Sequence, residues 1–224
     1  MATILVYNNQ TDRMERFERA FTEPMPYANQ TLLVGEFRGT SQSFLLWTQR
    51  AAMQSWVQFR ALWNRPIYLP YCFRRIGEGG HASQSQHYAG VSFDCAQNLT
   101  NAERTKMRQL ASSSGLWTYV EPASLTPTWV HMDRRSLPAA CSAGYPLTRE
   151  GMRGVYVCIL QDALNLLQNA NLTIDGNFGP ATRAAVVQFQ SRRSLTPDGI
   201  VGCATWQRLT ALAVGSGLPL DMQY

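Results

Sequence analysis

Three histidines occur in the chain, and two of them stand near acidic residues in the sequence. His87 lies in S-Q-H-Y-A-G-V-S-F-D, which places Asp94 seven residues later, and His131 lies in T-W-V-H-M-D. Two imidazoles and one carboxylate suit Zn²⁺, at bond lengths of about 2.0–2.2 Å. Three protein ligands leave the fourth position to water, as in catalytic zinc sites. His87, Asp94 and His131 are therefore candidate zinc ligands, although any one histidine taken alone is more commonly a core residue.

The sequence around these candidates resembles a known family. A helix-like segment, an arginine-bearing P-I-Y-L-P-Y-C-F-R run, the H-x-x-G-x-x-x-D element and the later V-H-M-D follow one another over about residues 45–135. This order is similar to that of the D-alanyl-D-alanine carboxypeptidase-like zinc peptidases. The resemblance implies that His87, Asp94 and His131 bind the metal.

The same resemblance implies a role for an arginine. Arg74 matches the family's arginine that holds the substrate and stabilises the oxyanion, and Arg75 is the competing choice. A guanidinium suits this role because it stays charged and can donate two hydrogen bonds to one carboxylate. The family has Ala two residues before its zinc-binding Asp, where this chain has Ser92, a change of one small residue for another.

The residue that would accept a proton from the attacking water departs from the family pattern. Many relatives carry an acid three residues before the last zinc histidine, and this chain has Thr128 there. Asp133 follows His131 by two residues and shares its strand face, so it either acts as the catalytic base or orients His131. Glu78 and Glu121 are the reserve candidates.

An internal repeat marks the carboxyl-terminal part of the chain. D-G-N-F-G-P-A-T from Asp175 recurs as D-G-I-V-G-C-A-T from Asp198, and Gly suits the tight turn that each Asp-Gly pair forms. Helical spacing of apolar residues predicts three helices, over 155–168, over 182–192 and from about residue 205. Over about 154–212 the pattern resembles the three-helix peptidoglycan-binding domain of many wall hydrolases.

These elements predict an α+β fold. We expect a zinc-peptidase-like domain at 1–141 with a small antiparallel sheet and flanking helices, a linker at 142–153, and a three-helix peptidoglycan-binding domain at 154–224. Within the first domain, periodicity predicts helices over 43–63 and 100–114 and strands over 67–73, 116–120 and 128–132. Thr100 and Glu103 form a capping box at the start of the second helix. The first 40 residues receive no role beyond packing.

Composition narrows the function classes. The 224 residues carry a net charge of +5 without a run of five Lys or Arg, so a nucleic-acid-binding tail is not indicated. No apolar stretch approaches eighteen residues, and the first ten residues lack the features of a signal peptide. Five cysteines do not have the spacing of a metal motif; most are expected to be buried apolar residues, with one or two disulfides possible.

The predicted function is hydrolysis of peptide bonds in peptidoglycan stem peptides by a zinc-dependent peptidase, anchored to the wall by its carboxyl-terminal domain. The expected cofactor is Zn²⁺, the expected partner is peptidoglycan, and the expected state is a monomer. We expect it to act at the cell wall or outside the cell, after lysis, holin action or non-classical export. The alternative is a non-catalytic peptidoglycan-binding protein with a degenerate peptidase domain.

Overall fold

The computed structural model describes residues 1–141 and 144–217, and they form a mixed α+β structure. The strands are β1 Ala2–Asn8, β2 Arg13–Arg19, β3 Leu45–Gln49, β4 Ser92–Cys95, β5 Tyr119–Val120 and β6 Val130–Asp133. The α-helices are α1 Val34–Arg38, α2 Arg50–Trp63, α3 Asn101–Ser113, α4 Val155–Gln168, α5 Pro180–Arg192 and α6 Cys203–Ala213. Two 3₁₀ turns lie at Asn29–Thr31 and Ile76–Glu78. No described helix is both long and apolar enough to cross a membrane.

The first sheet has the order β2-β1-β3, with β1 antiparallel to β2 and parallel to β3. The prediction of one helix over 43–63 is wrong for its first residues, which form β3. All five β3 residues are buried, and a strand buried on both faces has a continuous apolar run that periodicity cannot distinguish from a buried helix. Two of the three strands of this sheet come from the first 40 residues, so that segment is a structural part of the fold.

The second sheet is antiparallel and has the order β4-β6-β5. It is the small antiparallel sheet expected from the sequence. The capping box that opens α3 is also confirmed, since Glu103 N donates to Thr100 Oγ1 at 3.3 Å and Thr100 N donates to the Glu103 carboxylate at 3.0 Å. The strand predicted over 67–73 is wrong: only an isolated bridge forms there, between Tyr71 and Asp94. Pro70 has no N–H to donate to a ladder, which disfavours a regular strand.

The carboxyl-terminal bundle has the three predicted helices, α4, α5 and α6. A helix glutamine holds each Asp-Gly turn of the repeat. Gln161 Nε2 donates to Asp175 Oδ1 at 2.8 Å, and its Oε1 accepts from the following glycine N–H at 3.0 Å. Gln190 makes the same pair of contacts to Asp198 and its glycine, at 3.0 and 2.9 Å. The repeated sequence therefore encodes a repeated helix-to-turn contact.

The bundle packs closely against the amino-terminal part. Every residue of α4 from Val155 to Asn165 is buried, as expected for a helix that is covered on all sides. Arg75 and Asp162 form an ion pair between the two parts, with side chains 3% and 1% exposed. Arg75 Nε donates to Asp162 Oδ2 at 2.7 Å, and Arg75 Nη1 donates to Ser43 Oγ at 3.2 Å.

The segment predicted as a linker also takes part in this packing. Tyr145 is fully buried, its hydroxyl donates to Ser85 O at 2.8 Å, and its ring contacts that of Trp206. A disulfide joins Cys141 to Cys203, whereas the other three cysteines are free and buried. Residues 142–143 of the predicted linker and 218–224 of the predicted binding domain lie outside the described residues. The domain boundaries stay a prediction.

Candidate metal centre

The second sheet brings the three predicted zinc ligands together. Asp94 on β4 lies directly opposite His131 on β6, and side chains of such a pair share one face of the sheet. His87 approaches from the loop before β4, and its Nε2 lies 3.2 Å from Asp94 Oδ2. His131 Nδ1 lies 2.6 Å from Asp94 Oδ1. One ligand atom from each residue falls within 4.8 Å of the others, so the three donors converge on a volume that one ion could fill.

A glycine in the H-x-x-G-x-x-x-D element allows the approach of His87. Gly90 has a φ of +64°, which disfavours any residue with a side chain. A Cβ at this position would lie 2.0 Å from Trp47 O, so the loop could not pack against β3 with a larger residue. Thr48 Oγ1 also donates to Gly90 O at 2.7 Å. The glycine is therefore needed for close contact between this loop and the first sheet.

The second nitrogen of each imidazole faces a protein oxygen. His87 Nδ1 lies 3.1 Å from Cys72 O, and His131 Nε2 lies 3.2 Å from Asp133 Oδ2. Such acceptors fix the orientation and the protonated nitrogen of a metal-binding histidine. Asp133 is itself held by Arg135, whose Nε donates to Asp133 Oδ1 at 2.8 Å.

The three groups shift one another's pKa values. Burial raises the pKa of Asp94, but the hydrogen bond with His131 and the nearby imidazole of His87 outweigh burial and hold this pKa well below its ordinary value. Burial favours neutral His131, yet its hydrogen bonds with Asp133 and Asp94 raise its pKa to about 9. A buried carboxylate is thus kept charged between two imidazoles, which is the electrostatic environment a divalent cation requires.

A cleft of about 690 Å³ opens beside the three residues. It is lined by His87, Asp94 and His131, hereafter the triad, and by His81, Glu121 and Arg135. Gln207 of α6 lines it from the carboxyl-terminal bundle. His81 stacks on His87 with ring centroids 4.2 Å apart, and burial followed by the neighbouring His87 lowers the pKa of His81 to about 3. The sequence does not predict His81 or Gln207 as part of the site, because their place in the cleft depends on tertiary packing.

Neither of the two arginines singled out from the sequence lines this cleft, although Arg74 N donates to His87 O at 3.3 Å. Arg74 Nη2 donates to Thr40 Oγ1 at 2.9 Å, and Arg75 is bound to Asp162 in the buried ion pair. The arginine that lines the cleft is Arg135. Its guanidinium lies 4.0 Å from the centre of the Tyr119 ring. Arg135 could have been considered from the sequence, because it follows the V-H-M-D element by two residues.

The acidic candidates for a base occupy different environments. Glu78 accepts from Ser41 Oγ at 2.8 Å and from two backbone N–H groups, those of Gln42 and Arg75, at 2.6 and 2.8 Å. It therefore has a structural role outside the cleft. Thr128, which stands where many relatives carry an acid, is exposed. Asp133 is fully buried, and Glu121 lines the cleft.

Comparison with known proteins identifies the carboxyl-terminal bundle. Residues 153–209 match the family described as "Putative peptidoglycan binding domain". The zinc D-Ala-D-Ala carboxypeptidase of Streptomyces albus G is 47% identical over 55 residues, covering 25% of this chain and 22% of that protein. An uncharacterized protein in the bpoA1 3′ region of Kitasatospora aureofaciens is 42% identical over 77 residues, covering 32% of this chain and 65% of that protein. The chain thus spans less than two thirds of either relative.

A solved structure is similar over a comparable share of the chain. A peptidoglycan-binding protein from Clostridioides difficile, crystallised in complex with glutamine hydroxamate, is 40% identical, covers 32% of this chain and 45% of that chain, and has a TM-score of 0.30. The resemblance expected from the sequence is confirmed as a peptidoglycan-binding domain together with a relative named as a zinc carboxypeptidase.

Proposed function

We propose that this protein is a zinc-dependent peptidase that hydrolyses peptide bonds of peptidoglycan stem peptides and is anchored to the wall by its carboxyl-terminal bundle. The observation that carries the proposal is the convergence of His87, Asp94 and His131 beside a cleft, in a chain that also has a peptidoglycan-binding domain. The relative named as a zinc D-Ala-D-Ala carboxypeptidase supports both the metal and the class of substrate.

The donor set suits zinc. His87 Nε2 is buried and has no hydrogen bond of acceptable direction, although Asp94 Oδ2 lies 3.2 Å away. A buried ring nitrogen in this state is better satisfied by a metal ion than by the carboxylate alone. When bound, zinc would polarise the scissile carbonyl and lower the pKa of a water molecule toward about 7. His87, Asp94 and His131 would hold it.

The surroundings of Asp133 favour one of its two predicted roles. Asp133 is 0% exposed, and its carboxylate is shared between Arg135 and His131 Nε2. A carboxylate that is enclosed in this way and paired with a guanidinium is poorly placed to exchange a proton with water in the cleft. We therefore assign Asp133 the task of orienting His131. Arg74 remains the family-based candidate for holding substrate, and its bond to Thr40 would have to break for it to do so.

The carboxyl-terminal bundle would supply the wall contact. Binding to an insoluble polymer raises the effective concentration of the cleft near stem peptides. The partner of the protein is then peptidoglycan, and the site of action is the cell wall. Gln207 places the bundle at the rim of the cleft, so the anchored surface and the reacting bond would lie close together.

Zinc content and product analysis test the proposal. Purified protein should contain one zinc per chain by elemental analysis, and His87→Ala should lose most of it because a ligand is removed. His81→Ala is the matched control, since His81 lines the same cleft outside the ligand set. Wild-type protein incubated with purified sacculi should release shortened stem peptides. Equal zinc contents in wild type and His87→Ala would refute the ligand assignment.

The second candidate function is wall binding without catalysis, favoured by Thr128 in place of an acid. In that case the protein would still sediment with sacculi, and the triad would still bind metal. Muropeptide analysis separates the two functions, because only the peptidase changes the length of the stem peptides. The identity of the cut bond would follow from the same products.

A further inference from the structure

We infer that Glu121 is the general base of this site, taking over the task that many relatives give to an acid at the position of Thr128. The inference rests on the proposed peptidase function and deepens it. It comes from the strand register of the second sheet and from the hydrogen-bonding state of each acid near the cleft.

The register places Glu121 beside the metal centre. β5 pairs with β6 through Tyr119 opposite Asp133 and Val120 opposite Met132, and Glu121 N then donates to His131 O at 2.9 Å. Glu121 therefore lies opposite His131 on one side, as Asp94 does on the other. Directly opposed residues of an antiparallel pair share one face, with Cβ atoms about 4.5–5.5 Å apart. Asp94, His131 and Glu121 thus form one row across the sheet.

The side chain of Glu121 is available for proton transfer. It lines the cleft with the triad, and among the described residues no side-chain hydrogen bond or ion pair of Glu121 is found. Asp94 is bound between two imidazoles, and Asp133 is bound to Arg135. Among the described residues, the cleft is lined by two acids, Asp94 and Glu121, and Glu121 is the one whose carboxylate has no hydrogen-bonding partner.

The proton balance of the step is simple. Glu121 would accept one proton from water as the water oxygen attacks the carbonyl carbon of the peptide bond. The carbon–nitrogen bond then breaks, and the protonated Glu121 would return that proton to the leaving nitrogen. The second proton of the water passes from the new carboxyl group to the amine, so the products are a carboxylate and a protonated amine, and Glu121 ends as the carboxylate it was. Glu121 directly follows β5 and precedes an exposed turn, and its side chain is partly exposed.

Glu121→Gln tests the inference, because the substitution keeps the size of the side chain and removes its basicity. The variant should keep one zinc per chain and lose about 10²–10⁴-fold of its turnover on muropeptides, the range of general-base contributions. Glu18→Gln, on the exposed face of β2, is the matched control and should retain wild-type turnover. Turnover of Glu121→Gln within about threefold of wild type would overturn the inference, and so would loss of zinc, which would make Glu121 a ligand.

A second measurement covers the case in which wild type shows no turnover, which would refute the peptidase proposal itself. Co²⁺-substituted protein can be titrated with acid and base while its visible spectrum is recorded. A carboxylate next to the metal changes the pH at which the spectrum shifts. A displaced transition in Glu121→Gln supports its place beside the metal, whereas identical titrations of wild type and Glu121→Gln would overturn it.

Discussion

Breaking the ion pair between Arg75 and Asp162 should strongly destabilise the contact between the two parts of the chain. Both side chains are almost completely buried, at 3% and 1% exposure, and two guanidinium nitrogens donate to the carboxylate. Removing one partner of such a pair typically costs about 3–5 kcal/mol, because the other charge is left in a medium of low polarity. Asp162→Asn keeps one acceptor oxygen, so we expect it to lower the free energy of unfolding by about 3 kcal/mol, the lower end of that range.

This loss is measurable in thermal unfolding. For a chain of 150–250 residues, 1 kcal/mol shifts Tm by about 2–4 °C, so Asp162→Asn should lower Tm by roughly 6–12 °C. Asp12→Asn is the matched control, because Asp12 also pairs across the two parts, with Arg153 at 3.3 Å, but with side chains 66% and 44% exposed. An exposed pair contributes about 0–1 kcal/mol, so this variant should shift Tm by at most a few degrees.

A double substitution separates the charge from the packing. Arg75→Met combined with Asp162→Leu replaces the pair by apolar side chains, a change that is often neutral or stabilising for buried pairs. It should recover most of the Tm lost in Asp162→Asn. A Tm for Asp162→Asn equal to that of the Asp12→Asn control would refute the reasoning, because it would show that the buried charge is solvated in some other way.

Two further predictions concern the disulfide and the metal centre. Cys141 and Cys203 are 62 residues apart, so Cys141→Ser should lower the free energy of unfolding by about 4 kcal/mol according to the chain-entropy relation. Wild type should show a matching fall in Tm under reducing agent. An unchanged Tm would contradict the stabilising role of the disulfide. In metal-free protein, burial favours neutral His131, but Asp133 and Asp94 raise its pKa from 6.5 to about 9. Protonated His131 therefore contributes its full stabilisation below about pH 6.5, and this stabilisation is lost as pH rises through about 9. After chelation, the Tm of wild type should fall over that interval, whereas the Tm of His131→Asn should not.

The parts of the fold that were predictable are those in which local sequence and final structure agree. Helix α4 occupies the predicted range, 155–168, because its apolar spacing and flanking glycine and asparagine define it locally. The capping box at Thr100 is equally local. The convergence of the histidines and Asp94 was expected from a family pattern, and the β4–β6 register supplies its physical cause.

The parts that were not predictable depend on distant partners. The sequence of β3 is compatible with the start of a helix, and its strand conformation depends on pairing with β1, about 40 residues earlier. The nearness of Glu121 to His131 depends on how β5 pairs with β6, and a shift of one residue would turn Glu121 to the opposite face. The pairing of Arg75 with Asp162 requires the docking of two segments 87 residues apart. Periodicity and spacing contain no information on these contacts.

The burial of α4 limits how far the cleft can lie from the polymer that the carboxyl-terminal bundle binds. A wall enzyme on a flexible tether can sample every bond within the radius of its linker, and its products then depend on diffusion around the anchor. Here α4, the ion pair and the disulfide join the wall-binding bundle directly to the part that holds the triad. In a peptidase of this form, the distance from the anchored glycan to the cut peptide is a property of the fold. Cutting would then occur at a fixed offset along the polymer, and progress along the wall would require the bundle to release and bind again.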